Sequence, residues 1–456
     1  MSTDYRRVNE YLEHLLCNRS LGELEWRLEP KSGSPSPRIP NGLRLVAASV
    51  EQRWVDLSNG NGCQEILLDP QTRSHMERYE HNVENFIGTV KVPVGLAGPL
   101  RVNGLFAQGD YYVPLATTEA ALVASYSRGS QMISEAGGCT VAVLNEGMSR
   151  APGFAFTNLR EVGLFVTWAS SQFDEFRRQA ASTTRYGKLL DMRVSVEGNH
   201  VYLIFEFLTG DAAGQNMVTI ATETICAYIN AHAPVHPRHF IIEANLSGDK
   251  KACAQSFFSV RGRKVSAEVV LPTELVERRL HVSPDRIVDS WRMSAIGSAL
   301  SGAIGLQGQF ANGLAALYIA CGQDAACVAE SAVGVTRFEV VDTGSLYAAV
   351  TLPNLVVGTI GGGTGLPSQQ ACLQILGLSG PEKATAFAEV CAALCLAGEL
   401  SLAGALSAGE FARAHQCLAR RRRITKVADR VVGDSTIADT RCGPDRVMQA
   451  PEELCT

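Results

Sequence analysis

The chain has no C-x-x-C pair, no uncharged apolar run long enough to cross a bilayer, and no excess of basic residues. The first absence argues against a thiolate metal cluster. Its thirteen cysteines are odd in number, and Cys226, Cys321, Cys372, Cys391 and Cys395 stand in apolar helical contexts, which reads as buried thiols in a reducing compartment. His232, His236 and His239 come nearest to metal-ligand spacing, but Pro234 and Pro237 break any shared helical face, so no metal site is expected. The net charge of -5 argues against a nucleic-acid partner, because neutralising phosphates needs a basic surface. The one strongly basic run, Arg420 to Arg423, reads as a complement to a helix C-terminus. The longest apolar candidate, Val390 to Leu406, is interrupted by Glu399, whereas a span needs about 18 apolar residues. "MSTDYRRVNEYLEHLL" mixes acids and bases where the apolar part of a signal peptide would lie. These features together predict a cytoplasmic protein with no membrane partner.

At 456 residues, 46% of them hydrophobic, the chain is globular in profile and too long for one ordinary core, so two or three domains are expected. Val8, Tyr11, Leu12, Leu15 and Leu16 recur at helical spacing, predicting one amphipathic helix over residues 1 to about 28. Glu29 to Gly42 reads as a linker, its prolines among Ser and Gly preventing regular pairing. In the middle of the chain, Phe154 to Leu159 reads as a strand and Gly163 to Ala181 as a helix. Leu189 to Val196 and Val201 to Leu208 form a hairpin around "EGNH"; Gly214 to Ala231 is a second helix and Phe240 to Glu243 a last strand. That β-α-β-β-α-β order is the ferredoxin-like unit. The fold class expected is therefore α+β: a large helix-rich domain (81–151 and 245–423) with an inserted ferredoxin-like domain (152–244). An N-terminal helical segment and linker (1–80) and a C-terminal tail (424–456) complete the division. The Ala/Gly/Ser-rich stretches "MSAIGSALSGAIGL" and "CAALCLAGELSLAGALSAGEF" permit close helix approach, suiting a helical core and a subunit interface.

"GTIGGGTGLPSQQ" (Gly358 to Gln370) lies between an apolar run and a predicted helix, the setting of a phosphate cradle. Both familiar nucleotide patterns fail: Leu366 stands where a third glycine is needed, and Thr364-Gly365 where Lys and Ser/Thr are needed. Four stretches place ionisable groups among small or apolar residues. Glu119 in "ATTEAALVASYSRG" opens a helix that Thr117 or Thr118 would cap. Asp249, Lys250 and Lys251 share a turn in "NLSGDKKACAQ"; Asp324 lies in "IACGQDAAC"; His415 lies near a helical C-terminus in "EFARAHQCLARRRR". Each alone also reads as an ordinary cap, solvated loop or dipole-compensating charge. Thr184 and Arg185 offer a hydroxyl–guanidinium pair that grips a phosphate monoester, and "GDAAGQNM" opens a helix whose amides could face an anion.

Taken in order, "ENFIGTVKVPVGLAGPL", "TTEAALVASYSRG", "GDAAGQNM", "DKKACAQ", "GQDAACVAES" and "GGGTGLPSQQACLQILG" resemble the 3-hydroxy-3-methylglutaryl-CoA reductases over residues 80 to 420. The resemblance is to the NADPH-using class, without the membrane anchor of its animal and fungal members. It implies a two-step reduction of a thioester to an alcohol with two NADPH and release of CoA, in a homodimer or a dimer of dimers. By this resemblance Lys250 stabilises the oxyanion and Glu119 donates a proton at the aldehyde stage, with a pKa raised by burial. Asp324 links Glu119 to Lys250, and His415 protonates the leaving thiolate. Arg150, Asn245, Lys251, Asn312, Glu84 and Ser125 correspond to binders of the acyl-CoA substrate. Thr184, Arg185, Tyr186, Asp211, Ala212, Gly214, Asn216, Met217, Gly361 and Gly362 correspond to the cofactor site, so the glycine-rich turn serves the dinucleotide without being a Rossmann fingerprint.

Three positions depart from the family pattern. Glu243-Ala244-Asn245 stands for Ser-Gly-Asn, Gln307-Gly308-Gln309 for Asn-Ala-His, and Arg421 for a serine phosphorylated in animal members. Glu243 would either repel a distal acyl carboxylate or pair with Arg150. A reductase of a different acyl-CoA thioester is the alternative these departures leave open, and a non-enzymatic binding or assembly protein is the other.

Overall fold

The computed structural model describes residues 4–17, 19–32, 39, 45–57 and 62–412. It divides into two compact units, residues 1–88 and 89–456. The first unit is helical. The helix expected over residues 1 to 28 is in fact two, Tyr5–Leu16 and Leu21–Leu28, because the Ser20 hydroxyl accepts from the Glu23 N–H at 3.2 Å and restarts the helix there. Its core is Val50, Trp54, Leu68, Met76 and Phe86. Buried Arg53 and the Trp54 indole tie it together by donating to the carbonyls of Phe86 and Ile87.

Among its described residues the second unit carries ten strands: β1 (Val94–Gly104), β2 (Gln108–Ala116), β3 (Cys139–Arg150), β4 (Gly153–Ala155), β5 (Lys188–Glu197), β6 (His200–Leu208), β7 (His239–Ile241), β8 (Gly262–Leu271), β9 (Val335–Val340) and β10 (Leu346–Leu355). The large domain is thus not simply helix-rich; β1, β2, β3, β8, β9 and β10 build a sheet in which only β1 and β3 pair parallel. Alternation marks β8, whose Arg263, Val265, Ala267, Val269 and Leu271 are buried while the residues between them are not. β3 crosses the junction. Thr140–Gly147 pair with β8, and the last three residues, Met148–Arg150, pair with β6 of a second group of strands.

That second group runs β7-β4-β6-β5, every pair antiparallel. The helical run read as one element is two, Leu159–Ser171 and Phe173–Ala181, broken at Gln172 (φ -99°, ψ 8°). The strand before it stops at Ala155, because Asn158 caps the next helix at the Glu161 N–H. Helix Gln215–His232 and β7 follow the hairpin.

Helix Ala384–Ser407 forms the centre of the large sheet's core. It is long and apolar enough to cross a membrane, yet 83% of its most apolar 18-residue stretch is buried within the protein. Small residues let neighbours close on it: a Cβ on Gly129 would collide with the carbonyl of Ala397, so helix Leu122–Glu135 packs backbone against backbone. Its two acids are satisfied internally. Glu389 accepts the N–H groups of Leu105, Phe106 and Ala107 in the β1–β2 turn, and Glu399 accepts those of Gly308 and Gln309 and the Thr336 hydroxyl.

Candidate active site

The loop from Glu243 to Lys251, between β7 and β8, turns sharply, with Asn245 (φ +64°), Gly248 (φ +76°) and Lys250 (φ +55°) all left-handed. It aims the Lys250 amine at Asp324, Nζ to Oδ2 2.7 Å. Donating to the Asp324 carboxylate raises the Lys250 pKa above the ordinary lysine range, so the amine stays protonated at neutral pH. Burial pushes Asp324 up, but the Lys250 hydrogen bond and the Ala326 N–H outweigh it and hold the carboxyl below its usual range. Asp324 is therefore both the cap that the sequence suggested (Ala326 N–H to Oδ1, 3.0 Å) and an ion-pair partner.

Cys327, one turn on, is buried and pushed up to about 12, so it remains a thiol. The Gln215 amide donates to its sulfur at 2.6 Å, and the Gln215 carbonyl accepts from Arg150 Nη2 at 3.3 Å. The first residue of helix Gln215–His232 thus touches both the Asp324 turn and the end of β3.

Three small-residue turns pack together beside this pair. A Cβ on Gly358 would lie 2.5 Å from the Ala213 nitrogen, so "GTIGGG" can rest directly on "GDAAG" only through a glycine. Thr359 N–H donates to the Asp211 carbonyl at 2.9 Å, and Gln323 exchanges two hydrogen bonds with Gly358. The Asp211 carboxylate accepts the N–H groups of Glu382 and Ala384, capping the core helix from a distance. Thr209 donates to the Ala212 carbonyl at 3.0 Å.

Below the loop lies a charge network invisible to sequence reading. Arg261, 1% exposed, donates to Glu330 Oε2 (2.6 Å), Asp249 Oδ1 (2.5 Å) and the Ser149 carbonyl (2.6 Å). Arg150 bonds Asp249 Oδ2 (3.1 Å) and Glu243 Oε2 (3.3 Å). Glu243 in turn accepts from the Ser247 hydroxyl at 2.8 Å. Burial pushes Glu330 up and Arg261 opposes it; with Arg261 and the Lys250 N–H donating to its oxygens, the carboxylate form matches the geometry. The sequence offered little: Glu330 is the lone charge in "ACVAESAV", but Arg261 stands with Arg263 and Lys264 in "SFFSVRGRKV" and looks like part of an ordinary basic strand end.

The remaining predicted residues are dispersed. Glu119 is exposed in this single chain, not buried. It precedes the helix because Thr117 Oγ1 closes a turn on its N–H (3.0 Å) and Ala121 adopts φ +70° before Leu122. Among the described residues no hydrogen bond joins Glu119 to Asp324 or Lys250. Ser125 is paired with Ser401 across two helices at 2.9 Å. Lys251 Nζ donates to the Asp249 carbonyl, while Asn245 and Asn312 present themselves to solvent. Thr184 receives the Tyr186 and Gly187 N–H groups and donates to Met217 Sδ; Arg185, Tyr186 and Asn216 are exposed. Gly214 (φ +81°), Gly361 (φ +78°) and Gly362 (φ +54°) are left-handed. Glu84 is an exposed residue of the N-terminal unit, and His415 and Arg421 lie outside the described residues.

A profile of the hydroxymethylglutaryl-coenzyme A reductases matches residues 49–420. The 3-hydroxy-3-methylglutaryl-coenzyme A reductase of Aeropyrum pernix is 43% identical over 419 residues, spanning 90% of this chain and 96% of that protein. The Pyrococcus abyssi enzyme of the same name is 40% identical over 390 residues, 83% of this chain and 94% of that one. A class II reductase from Streptococcus pneumoniae, solved with NADPH in open conformations, shares the fold at a TM-score of 0.58 and 20% identity, covering 78% of this chain and 96% of that one. A mixed helix and mainly antiparallel sheet fold with a protonated lysine poised beside a carboxylate suits reduction of a carbonyl. The chain belongs to the hydroxymethylglutaryl-coenzyme A reductase family.

Proposed function

We propose that the protein reduces 3-hydroxy-3-methylglutaryl-CoA to mevalonate and CoA in two hydride transfers, supplying isoprenoid precursors. The observation that carries this reading is the 2.7 Å Lys250–Asp324 pair at the meeting of the "GDAAG", "GQDAAC" and "GTIGGG" turns. NADPH, when bound, supplies the hydrides. Lys250 stabilises the oxyanion that develops on the acyl oxygen in each step, and Asp324 fixes the amine. Glu119 delivers a proton at the aldehyde stage; His415 protonates the departing thiolate. Arg150, Asn245, Lys251, Asn312 and Ser125 hold the substrate.

The β7-β4-β6-β5 strands with their helices are read as a ferredoxin-like cofactor domain, and the residues present suit the group. Arg185 is exposed beside Thr184 with no partner among the described residues, suiting a 2′-phosphate. Tyr186, Asp211, Ala212, Gly214, Asn216, Met217, Gly361 and Gly362 provide the remaining surface, with left-handed glycines where backbone must approach a ligand.

The active form is read as a homodimer, or a dimer of dimers. Helix Pro284–Ser301 buries only Pro284, Ile287 and Val288, while Met293, Ile296 and Leu300 are 75%, 63% and 84% exposed at helical spacing. Buried free thiols accord with a reducing, cytoplasmic setting.

The test follows NADPH absorbance with hydroxymethylglutaryl-CoA and with mevaldehyde. Lys250→Ala should abolish both reductions, whereas His415→Gln should impair the thioester step and spare mevaldehyde, because a thiolate leaves only in the first. Equal losses on both substrates would remove the role given to His415. The Arg150–Glu243 contact favours one second reading, reduction of an acyl-CoA without a distal carboxylate.

A further inference from the structure

We propose that Glu330 and Arg261 are positioning residues for Lys250: a buried carboxylate–guanidinium pair that holds the Lys250 main chain in the conformation from which its amine reaches Asp324. The proposal rests on the catalytic reading of Lys250 given above.

Three observations carry it. Lys250 has φ +55°, a region that a residue with a side chain adopts only when its surroundings impose it. What imposes it is local: the Lys250 N–H donates to Glu330 Oε1 at 3.1 Å, so the anchor grips the peptide of the lysine itself and leaves its amine unencumbered. Glu330 is in turn fixed. It is 0% exposed, and Arg261 Nε holds its other oxygen at 2.6 Å.

Arg261 secures both flanks of that peptide. Its Nη2 reaches the carboxylate of Asp249, the preceding residue, at 2.5 Å, while Nη1 is pinned to the Ser149 carbonyl at the end of β3. The Arg261 N–H donates to the Asn354 side chain, and Asn354 also donates to Ser256, so the guanidinium starts from a fixed backbone. A pair needed only for stability could sit anywhere under the loop. This one converges on the single peptide whose rotation would swing the Lys250 amine away from Asp324. Preorganising a charged group before the reaction avoids reorienting it during the reaction.

The groups facing the Lys250 amine are Asp324, Asp249 and Cys327. Loss of the anchor would chiefly loosen the Asp324 contact, and the amine would titrate lower, towards an ordinary exposed lysine.

The test compares wild type with Glu330→Gln and Arg261→Lys, each full-length, with activity expressed per NADPH-binding site so that unfolded protein drops out. Glu330→Gln keeps an acceptor for the Lys250 N–H but sets an amide donor against Arg261 Nε. It should lower kcat for both reductions on the order of ten- to a hundredfold, with the KM for NADPH changed less than about twofold. Glu330→Asp, which keeps the charge, should recover part of the loss. A second measurement needs no turnover: competitive acylation of Lys250 across pH, read by mass spectrometry, should show the amine becoming reactive at lower pH in Glu330→Gln. Unchanged kcat per binding site together with an unchanged acylation profile would overturn the proposal. Should the wild type fail to oxidise NADPH with the thioester while the acylation profile still shifts, the positioning of Lys250 would stand and the assigned reaction would fall.

Discussion

Arg150 and Glu243 lie 3.3 Å apart, Nη1 to Oε2, and the same nitrogen meets Asp249 at 3.1 Å. The Arg150 side chain is only 7% exposed, so one sheltered guanidinium already faces two carboxylates. In the site proposed above, a substrate carboxylate would meet a cation already paired with two acids. Of the two outcomes open to Glu243 from sequence, repulsion of the substrate or pairing with Arg150, the structure displays the pairing. Nε of Arg150 and Oε1 of Glu243 have no hydrogen-bond partner among the described residues, so the contact is a single prong and not a saturated fork.

Glu243→Gln should therefore lower the KM for hydroxymethylglutaryl-CoA several-fold, leaving Arg150 to a substrate carboxylate. A 3-hydroxyacyl-CoA that ends in a methyl group should show no comparable gain. Losing one charged partner inside the network should cost about 1.5–3 kcal/mol of stability, read by urea denaturation. A KM unchanged for both thioesters would remove Glu243 from the specificity of the site.

The order of elements from residue 153 to 241 was legible because strand alternation and helical spacing are local signals, and the Asp249–Lys251 turn was legible from its composition. The large sheet was not. Its partners β3, β8 and β10 are separated by more than a hundred residues in places, and their apolar runs read equally well as helix. Arg261 and Glu330 were missed for a related reason: a buried ion pair leaves each residue looking like an isolated surface charge. Glu399 looked like an interruption in an apolar helix, and is instead the acceptor that organises Gly308, Gln309 and Thr336. Glu119 was expected buried on the strength of the resemblance alone and is exposed; nothing in its local stretch carries a signal of burial.

In the cofactor site proposed above, Arg185 is the residue that would discriminate NADPH from NADH. It is exposed next to Thr184, whose hydroxyl is already engaged with the Tyr186 and Gly187 N–H groups, which under that proposal leaves the guanidinium as the principal contact for a 2′-phosphate. Arg185→Ala should raise the KM for NADPH roughly ten- to a hundredfold, the equivalent of about 1.5–3 kcal/mol for a charge-assisted contact. NADH should be nearly unaffected. Equal losses for both would place the phosphate elsewhere.

Ile296 and Leu300 test the proposed subunit interface. Covering such a side chain contributes about 1.5–3 kcal/mol, so Leu300→Lys should weaken dimerisation at least tenfold, and Ile296→Lys with Leu300→Lys more so. Sedimentation at falling protein concentration reads the change, and activity should decline with the dimer fraction. A double variant that remains dimeric would exclude this helix from the interface, while a wild-type monomer that is fully active would exclude the dimer.

Glu399 gives a pH dependence opposite to that of an ordinary carboxylate. It is 5% exposed on the core helix, and burial raises its pKa despite the N–H groups of Gln309 and Gly308 and the Thr336 hydroxyl, which pull the other way. For an acid whose folded value lies above its unfolded one, the native chain binds more protons between the two values. Stability from this group therefore falls as pH rises through that window. Glu399→Gln removes the titration. The Gln oxygen can still accept from Gly308 and Gln309, and its amide can donate to Thr336 Oγ1, whose hydroxyl reorients. Rearranging that hydrogen bond should cost about 1 kcal/mol at low pH, where Glu399 is protonated and of the same shape. As pH rises the difference should move in favour of the variant, because only the wild type must bury a charge. Urea denaturation of both proteins from pH 5 to pH 8 reads this directly, and a stability difference that stayed constant or moved towards the wild type would show that Glu399 is already ionised at the lower end.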